Sequence, residues 1–199
     1  MIKFLLFAFL LFPSLAIGQT IQDYYELFSH NFRRPLKSTE EDFVFVDDVN
    51  NFIQIKNRKM PADAISFTYF EKEDGQKVFG FQYVSAIVGQ VVVPRAEFFT
   101  YQDGIWADVS EVVCPDLSFA AFWGEQPLPP QDLQEFNLEL VLPRKGDLVL
   151  AKSLPAMPFQ FPYDNLPKDY QKTFAKRKYK TFELFWNKAL GKFEIRKKY

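Results

Sequence analysis

Apolar and polar residues alternate with period two in three separate stretches of the chain, each folded about a polar turn. In the first, Ile65, Phe67 and Tyr69 alternate with Ser66 and Thr68. The turn Glu73-Asp74-Gly75-Gln76 follows, and Phe79, Phe81 and Tyr83 alternate with Gly80 and Gln82 on the return. A period of two sends successive side chains to opposite faces, and Asp-Gly suits a tight turn, so Ala64 to Ile87 is predicted as a β-hairpin. The pattern recurs in Phe98-Phe99-Thr100-Tyr101, where Asp103-Gly104 turns and Ile105-Trp106-Ala107 returns. It recurs again in Phe182 to Trp186, with Asn187 to Gly191 turning and Phe193-Glu194-Ile195 returning. Phe43 to Val46 and Phe52 to Ile55 read as two short strands around a polar turn, and Leu138 to Leu142 with Leu148 to Ala151 as two more.

Helical spacing marks two segments. Thr20 and Asp23 form an approximate capping box ahead of Ile21, Tyr24, Phe28 and Phe32, which predicts an amphipathic helix ending near Arg33-Arg34-Pro35. Asp164 and Asn165 can cap a second helix with the stripe Leu166, Tyr170 and Phe174. Between the second and third hairpins prolines interrupt the chain. Gln131 to Phe136 is expected to make a helical turn, and Leu154 to Pro167 is expected to run extended with Met157, Phe159, Phe161 and Tyr163 displayed. The elements together predict an α+β fold: a mainly antiparallel β-meander sheet of about eight to ten strands, an N-terminal helix and a second helix before the C-terminal hairpin. The turn glycines Gly75 and Gly104 lie 29 residues apart and Gly104 and Gly191 lie 87 apart, but no hairpin pattern falls at the intermediate positions near Leu133 and Pro162. That spacing argues against a propeller or solenoid.

The first eighteen residues add a compartment. Lys3, the apolar run Phe4 to Ala16 and the small residues of Ala16-Ile17-Gly18 read as a cleaved signal peptide, with the mature chain expected to begin at Gln19 as a single α+β domain over 19–199. The run is too short to span a membrane, which takes roughly 20 residues. The expected destination is the periplasm or the exterior. Cys114 is the only cysteine, so no intrachain disulfide is possible. Flanked by Val113 and Pro115, it is expected to be an inert, partly buried thiol.

The net charge of −1 conceals an asymmetry. From Lys168 to Tyr199 there are eleven Lys/Arg against three Asp/Glu, while residues 19–167 carry twelve against twenty-two. The two halves can complement each other within one fold, or the tail can present a basic patch to an anionic partner such as an envelope polysaccharide or lipid headgroups. Nucleic acid is not expected as a partner of an exported chain.

Candidate chemistry is sparse. HExxH, GxSxG, P-loop, GxGxxG and CxxC patterns are absent, and His30 is the sole histidine, expected at the surface near the end of the first helix. No cofactor or metal is expected. Two carboxyl groups suffice for glycoside hydrolysis, and the dense acidic groups Glu40-Glu41-Asp42 and Asp47-Asp48 are the residues such chemistry would use. The same groups also suit turns and solvated strand ends, and no EF-hand spacing is present for Ca²⁺. Trp106 and Trp186 occupy matching hairpin positions and are expected to pack across strands. Trp123, in a loop-like stretch before the prolines, is expected to be partly exposed. Together with Phe159, Phe161, Tyr163 and the basic cluster Lys176, Arg177 and Lys178, it forms the predicted binding surface.

The motifs SFTYFEKEDGQKVFGFQY, FFTYQDGIWADV and KTFELFWNKALGKFE, with the export signal, resemble those of uncharacterised secreted or periplasmic proteins common in Bacteroidetes. The resemblance implies export and an α+β fold and transfers no catalytic residues. The function expected is that of an exported, non-catalytic binding or interaction protein of the bacterial envelope or exterior, whose partner is an envelope glycan, an anionic lipid or another exported protein. A carboxylate-based hydrolase of polysaccharide or peptidoglycan and a structural assembly subunit are the alternatives.

Overall fold

The first helix, α1 (Ile21–Phe32), begins where Thr20 and Asp23 cap each other: Thr20 N–H and its hydroxyl donate to Asp23 Oδ2 at 2.7 and 2.9 Å, and Asp23 N–H donates to Thr20 Oγ1 at 3.2 Å. A computed structural model of the chain describes residues 19–32, 42–58, 64–84, 86–87, 90–91, 95–155 and 167–199. The expected leader, Glu40, Glu41, Phe159, Phe161, Tyr163 and the Asp164-Asn165 cap lie outside the described residues.

Strands β1 (Asp42–Asp47), β2 (Phe52–Asn57), β3 (Ala64–Glu71), β4 (Lys77–Val84), β7 (Arg95–Gln102) and β8 (Ile105–Asp108) form an antiparallel six-stranded meander in the order β1-β2-β3-β4-β7-β8. The two-residue strands β5 (Ala86–Ile87) and β6 (Gln90–Val91) pair with each other between β4 and β7. A second antiparallel sheet orders β12 (Lys192–Lys198), β11 (Thr181–Asn187), β10 (Leu148–Pro155) and β9 (Phe136–Val141). The α+β, mainly antiparallel expectation holds, with the strands divided between two main sheets. Asp103 at φ 52° and Gly104 at φ 82° are both left-handed, as a two-residue type I′ turn requires.

The six-stranded sheet is buried on both faces. On one, Tyr24, Tyr25 and Phe28 of α1 pack against Ile53, Phe67, Phe79 and Phe99; the Phe28 ring lies 5.3 Å from Phe67, 5.2 Å from Phe99 and 5.0 Å from Trp106. On the other, Phe70, Val78 and Phe98 meet Leu140, Val149, Phe182, Leu184, Trp186 and Phe193 of the four-stranded sheet. Gly80 sits where the sheets close. A Cβ built there would lie 3.0 Å from Leu142 Cδ2 and 3.2 Å from Phe98 Cε1. Gly80→Val is therefore expected to destabilise the protein by about 1–3 kcal/mol through overpacking, read as a lower urea midpoint at unchanged slope.

Three short elements fill the connection between the sheets: α2 (Ser110–Val113), α3 (Phe119–Trp123) and a 3₁₀ turn at Gln131–Leu133. Helix α4 (Lys168–Ala175) precedes β11 and buries Tyr170 and Phe174 against Phe119 and Trp123. No helix among the described residues is long and apolar enough to cross a membrane.

Candidate functional site

The four-stranded sheet is narrower than the six-stranded one and leaves a cleft of about 360 Å³ over β1 to β4. The register builds its floor. Phe45 pairs with Gln54, Gln54 with Ser66, Ser66 with Gln82 and Gln82 with Ala96, so one transverse row crosses five strands and carries three adjacent polar side chains. Ser66 and Gln82 are buried, at 8% and 7% exposure. Gln82 Oε1 accepts from Leu142 N–H at 3.4 Å, which fixes the amide and leaves its Nε2 hydrogens for a ligand. The Ser66 hydroxyl and the Gln54 amide line the same cleft beside it.

Aromatic rings wall the cleft. Phe52 is buried, Phe45 is half-buried, and Phe43 at 49% exposure stands at the mouth. From the other sheet's side come Val141, Leu142 and Arg144. Arg144 bars the opening: its guanidinium lies 4.3 Å from the centre of the Phe45 ring, and Nε–H donates to Asp47 Oδ2 at 3.1 Å across 97 residues of sequence. Asp47 also accepts from the Asn50 side-chain amide at 3.0 Å and from Asn50 N–H at 3.2 Å.

The Asn50 amide, with Arg144 beside it, holds the Asp47 carboxyl below its ordinary value of 3.8 against the opposing effect of burial. Asp47 is thus the counter-ion of Arg144, the reverse of the raised carboxyl that a general acid in glycoside hydrolysis needs. With the folded value below the unfolded one, ionised Asp47 favours the native state above the unfolded value, and that contribution is lost as pH falls through the folded value. The Arg144 bar is expected to hold at neutral pH and to open only as pH falls below the ordinary carboxylate range, which an NMR titration of the Asp47 carboxyl and the Arg144 Nε–H would follow.

The residues predicted from sequence fall elsewhere. Trp123 is buried at 5% exposure, a correction to its expected partial exposure. Ser118 caps α3 by accepting from Ala121 N–H, the helix turns Trp123 inward onto Phe119 with ring centres 5.4 Å apart, and the indole N–H donates to Pro127 O at 3.0 Å. Arg177 serves the fold: its guanidinium lies 3.8 Å from the Phe174 ring centre and donates to Ser153 Oγ at 2.7 Å, Ser153 O at 3.3 Å and Phe174 O at 2.7 Å. Lys176 and Lys178 are exposed. The structure does bring the cluster to α3, since Lys178 N–H donates to Trp123 O and Tyr179 N–H to Phe122 O.

Cys114 lies in a second cavity, of about 410 Å³, beside Leu117, Leu138 and Leu140. Burial, and secondarily the Asp108 charge, push its thiol from 9.0 up to about 12. Iodoacetamide at pH 8 is expected to modify native Cys114 about a hundredfold or more slowly than the urea-unfolded chain, as only the thiolate reacts. His30 is exposed and its Nδ1–H donates to Glu26 O at 2.7 Å, and Asp74 forms a turn by accepting from Gln76 N–H at 2.9 Å. Among the described residues no group of three or more His, Cys, Asp or Glu is placed to hold a metal ion.

In fold, the chain is similar to a domain of an uncharacterised protein from Porphyromonas gingivalis W83. The TM-score is 0.54 at 10% sequence identity, over 87% of this chain and 88% of that one. No family model matches the chain, and no curated protein does. At that identity the likeness describes the fold alone.

Proposed function

We propose that the chain is an exported, non-catalytic binding module of the bacterial envelope or exterior, and that the cleft between its sheets takes an envelope glycan. The observation that supports this reading is the row Gln54, Ser66 and Gln82, three adjacent polar side chains on the floor of a cleft beside a largely apolar core. Polar side chains on the floor of a cleft can exchange water for a ligand's hydroxyl groups, each such hydrogen bond contributing about 0.5–1.5 kcal/mol net. Adjacent amide and hydroxyl groups can each hydrogen-bond a sugar hydroxyl, and the exposed ring of Phe43 gives a sugar face an apolar surface at the mouth. The structural neighbour comes from a Bacteroidetes organism, in keeping with the envelope setting that the leader and the sequence motifs suggest.

The test is calorimetric titration of the chain starting at Gln19 with soluble glucan, xylan, mannan and peptidoglycan fragments. At least one is expected to bind, with Phe43→Ala and Gln54→Ala each weakening it by about tenfold, near 1.4 kcal/mol. The reading fails if none binds, or if both variants bind as the parent does. N-terminal sequencing of the chain recovered from outside the cytoplasm is expected to begin at Gln19.

A further inference from the structure

The basic residues of the C-terminal segment form a surface that is separate from the cleft and set by a β-bulge. The pairing of β11 with β12 slips between Glu183 and Leu184: Glu183 faces Lys197 while Leu184 faces Ile195, which leaves Arg196 as the extra residue. A bulge re-aims side chains that strict alternation would send to opposite faces. Here it lets two consecutive cations stand over rings, Arg196 at 5.9 Å from the Phe185 centre and Lys197 at 4.4 Å from Tyr199. On the other side of β12, the last strand of its sheet, Lys198 pairs with Phe182, and Lys178 and Lys198 each lie 5.2 Å from the Tyr179 ring, so the cations wrap around this sheet edge; Lys198 also lies 5.2 Å from Phe182. The two segments are joined through Tyr199, whose N–H donates to Thr181 O at 2.9 Å and whose carbonyl accepts from Lys180 N–H at 2.5 Å.

Lys176, Lys178, Lys180, Arg196, Lys197 and Lys198 are all exposed. The acidic groups among them are engaged: Glu183 accepts from the Tyr199 hydroxyl, Glu194 accepts from Asn187 at 2.9 Å, and Glu125 lies near Lys178. Exposed apolar area adjoins the cations, with Phe185 at 42% and Tyr199 at 48%.

We infer that this face docks the protein onto a membrane surface rich in anionic phospholipid. Charge complementarity selects an anionic partner, and the rings select lipid over glycan. A cation stands over each of the exposed Phe185 and Tyr199 rings and competes with a stacking sugar for that face, whereas exposed rings amid cations suit the headgroup boundary of a bilayer. Each cation near such a surface adds to attraction that fades within a screening length.

Co-sedimentation of the chain starting at Gln19 with phosphatidylcholine vesicles, with and without phosphatidylglycerol, tests the inference. Binding is expected only with phosphatidylglycerol and is expected to be lost at about 1 M salt, where the screening length is roughly 3 Å. The variant Lys178→Glu/Arg196→Glu/Lys197→Glu/Lys198→Glu is expected to reduce partitioning by about tenfold or more, while Lys145→Glu, in the β9–β10 turn, leaves it within about twofold. A matched thermal midpoint confirms that the fourfold variant is folded; if it is not, the pairs Lys178→Glu/Lys198→Glu and Arg196→Glu/Lys197→Glu are compared separately. Absence of binding to anionic vesicles, binding insensitive to these charges, or capture by dextran sulfate without vesicle binding would each overturn it. Glycan titration of the same variants is expected to match the parent, which keeps this outcome separate from that of the cleft.

Discussion

Alanine in place of Trp186 is expected to lower the unfolding free energy by about 3–5 kcal/mol, the largest effect of any single substitution considered. Trp186 is 1% exposed and lies where the two main sheets meet, with ring centres 5.5 Å from Phe70 and 5.0 Å from Phe193. Its indole N–H donates to Glu71 O at 2.9 Å, a bond between residues 115 positions apart that ties β11 to the end of β3. Alanine would remove the packing and leave the Glu71 carbonyl without this partner. Small domains are stable by only about 5–15 kcal/mol, so the loss is a large fraction of the whole. Trp186→Phe keeps much of the volume and drops the donor, and is expected to cost about 1–3 kcal/mol. Urea unfolding of the parent and both variants, followed by circular dichroism at constant slope, separates the two contributions. A cost below about 1 kcal/mol for alanine would mean that the sheets are not coupled at this point.

The strands were legible because alternation is a local signal, and the three hairpins stand where the period-two pattern and the Asp-Gly or Asn-to-Gly turns put them. Alternation does not say what covers each face. Ser66, Thr68, Gly80 and Gln82 occupy the positions opposite the aromatics and are buried, Gly80 and Gln82 against Leu142 from the second sheet's side and Ser66 on the cleft floor. Adjacent apolar pairs carried the missing information: Tyr69 with Phe70, Val78 with Phe79 and Phe98 with Phe99 put apolar groups on both faces, the mark of a sheet buried on two sides. Helix α3 was not legible. Its five residues are too few for a 3.6-residue period to show, and Gly124 at φ 89° ends it at once. Without that helix Trp123 reads as a loop residue. The cleft was hidden for a different reason. Its floor comes from β2, β3 and β4 and its bar from Arg144, and only strand register and the packing of the second sheet bring these residues together.

That register makes the final prediction sharp, because two members of the polar row are expected to respond in opposite directions. Ser66→Val replaces an 8% exposed hydroxyl by a slightly larger apolar group facing open cleft, and is expected to raise stability by about 0.5–2 kcal/mol. Gln82→Leu removes the acceptor that holds Leu142 N–H and is expected to lower stability by about 1–3 kcal/mol, since that buried donor has no evident replacement. Both are expected to weaken the cleft's ligand by about tenfold or more, because each deletes a hydrogen-bonding group from the floor. A residue that merely supports the fold cannot give the Ser66 result, in which stability rises while binding falls. Thermal and urea unfolding of the two variants, paired with titration of the glycan that binds the parent, gives both readouts on the same samples. If Ser66→Val leaves binding intact, the row is a packing feature of the sandwich and the cleft is not the ligand site. If stability and affinity move apart at Ser66 and fall together at Gln82, the polar row is kept at the expense of stability because it is where the ligand is held.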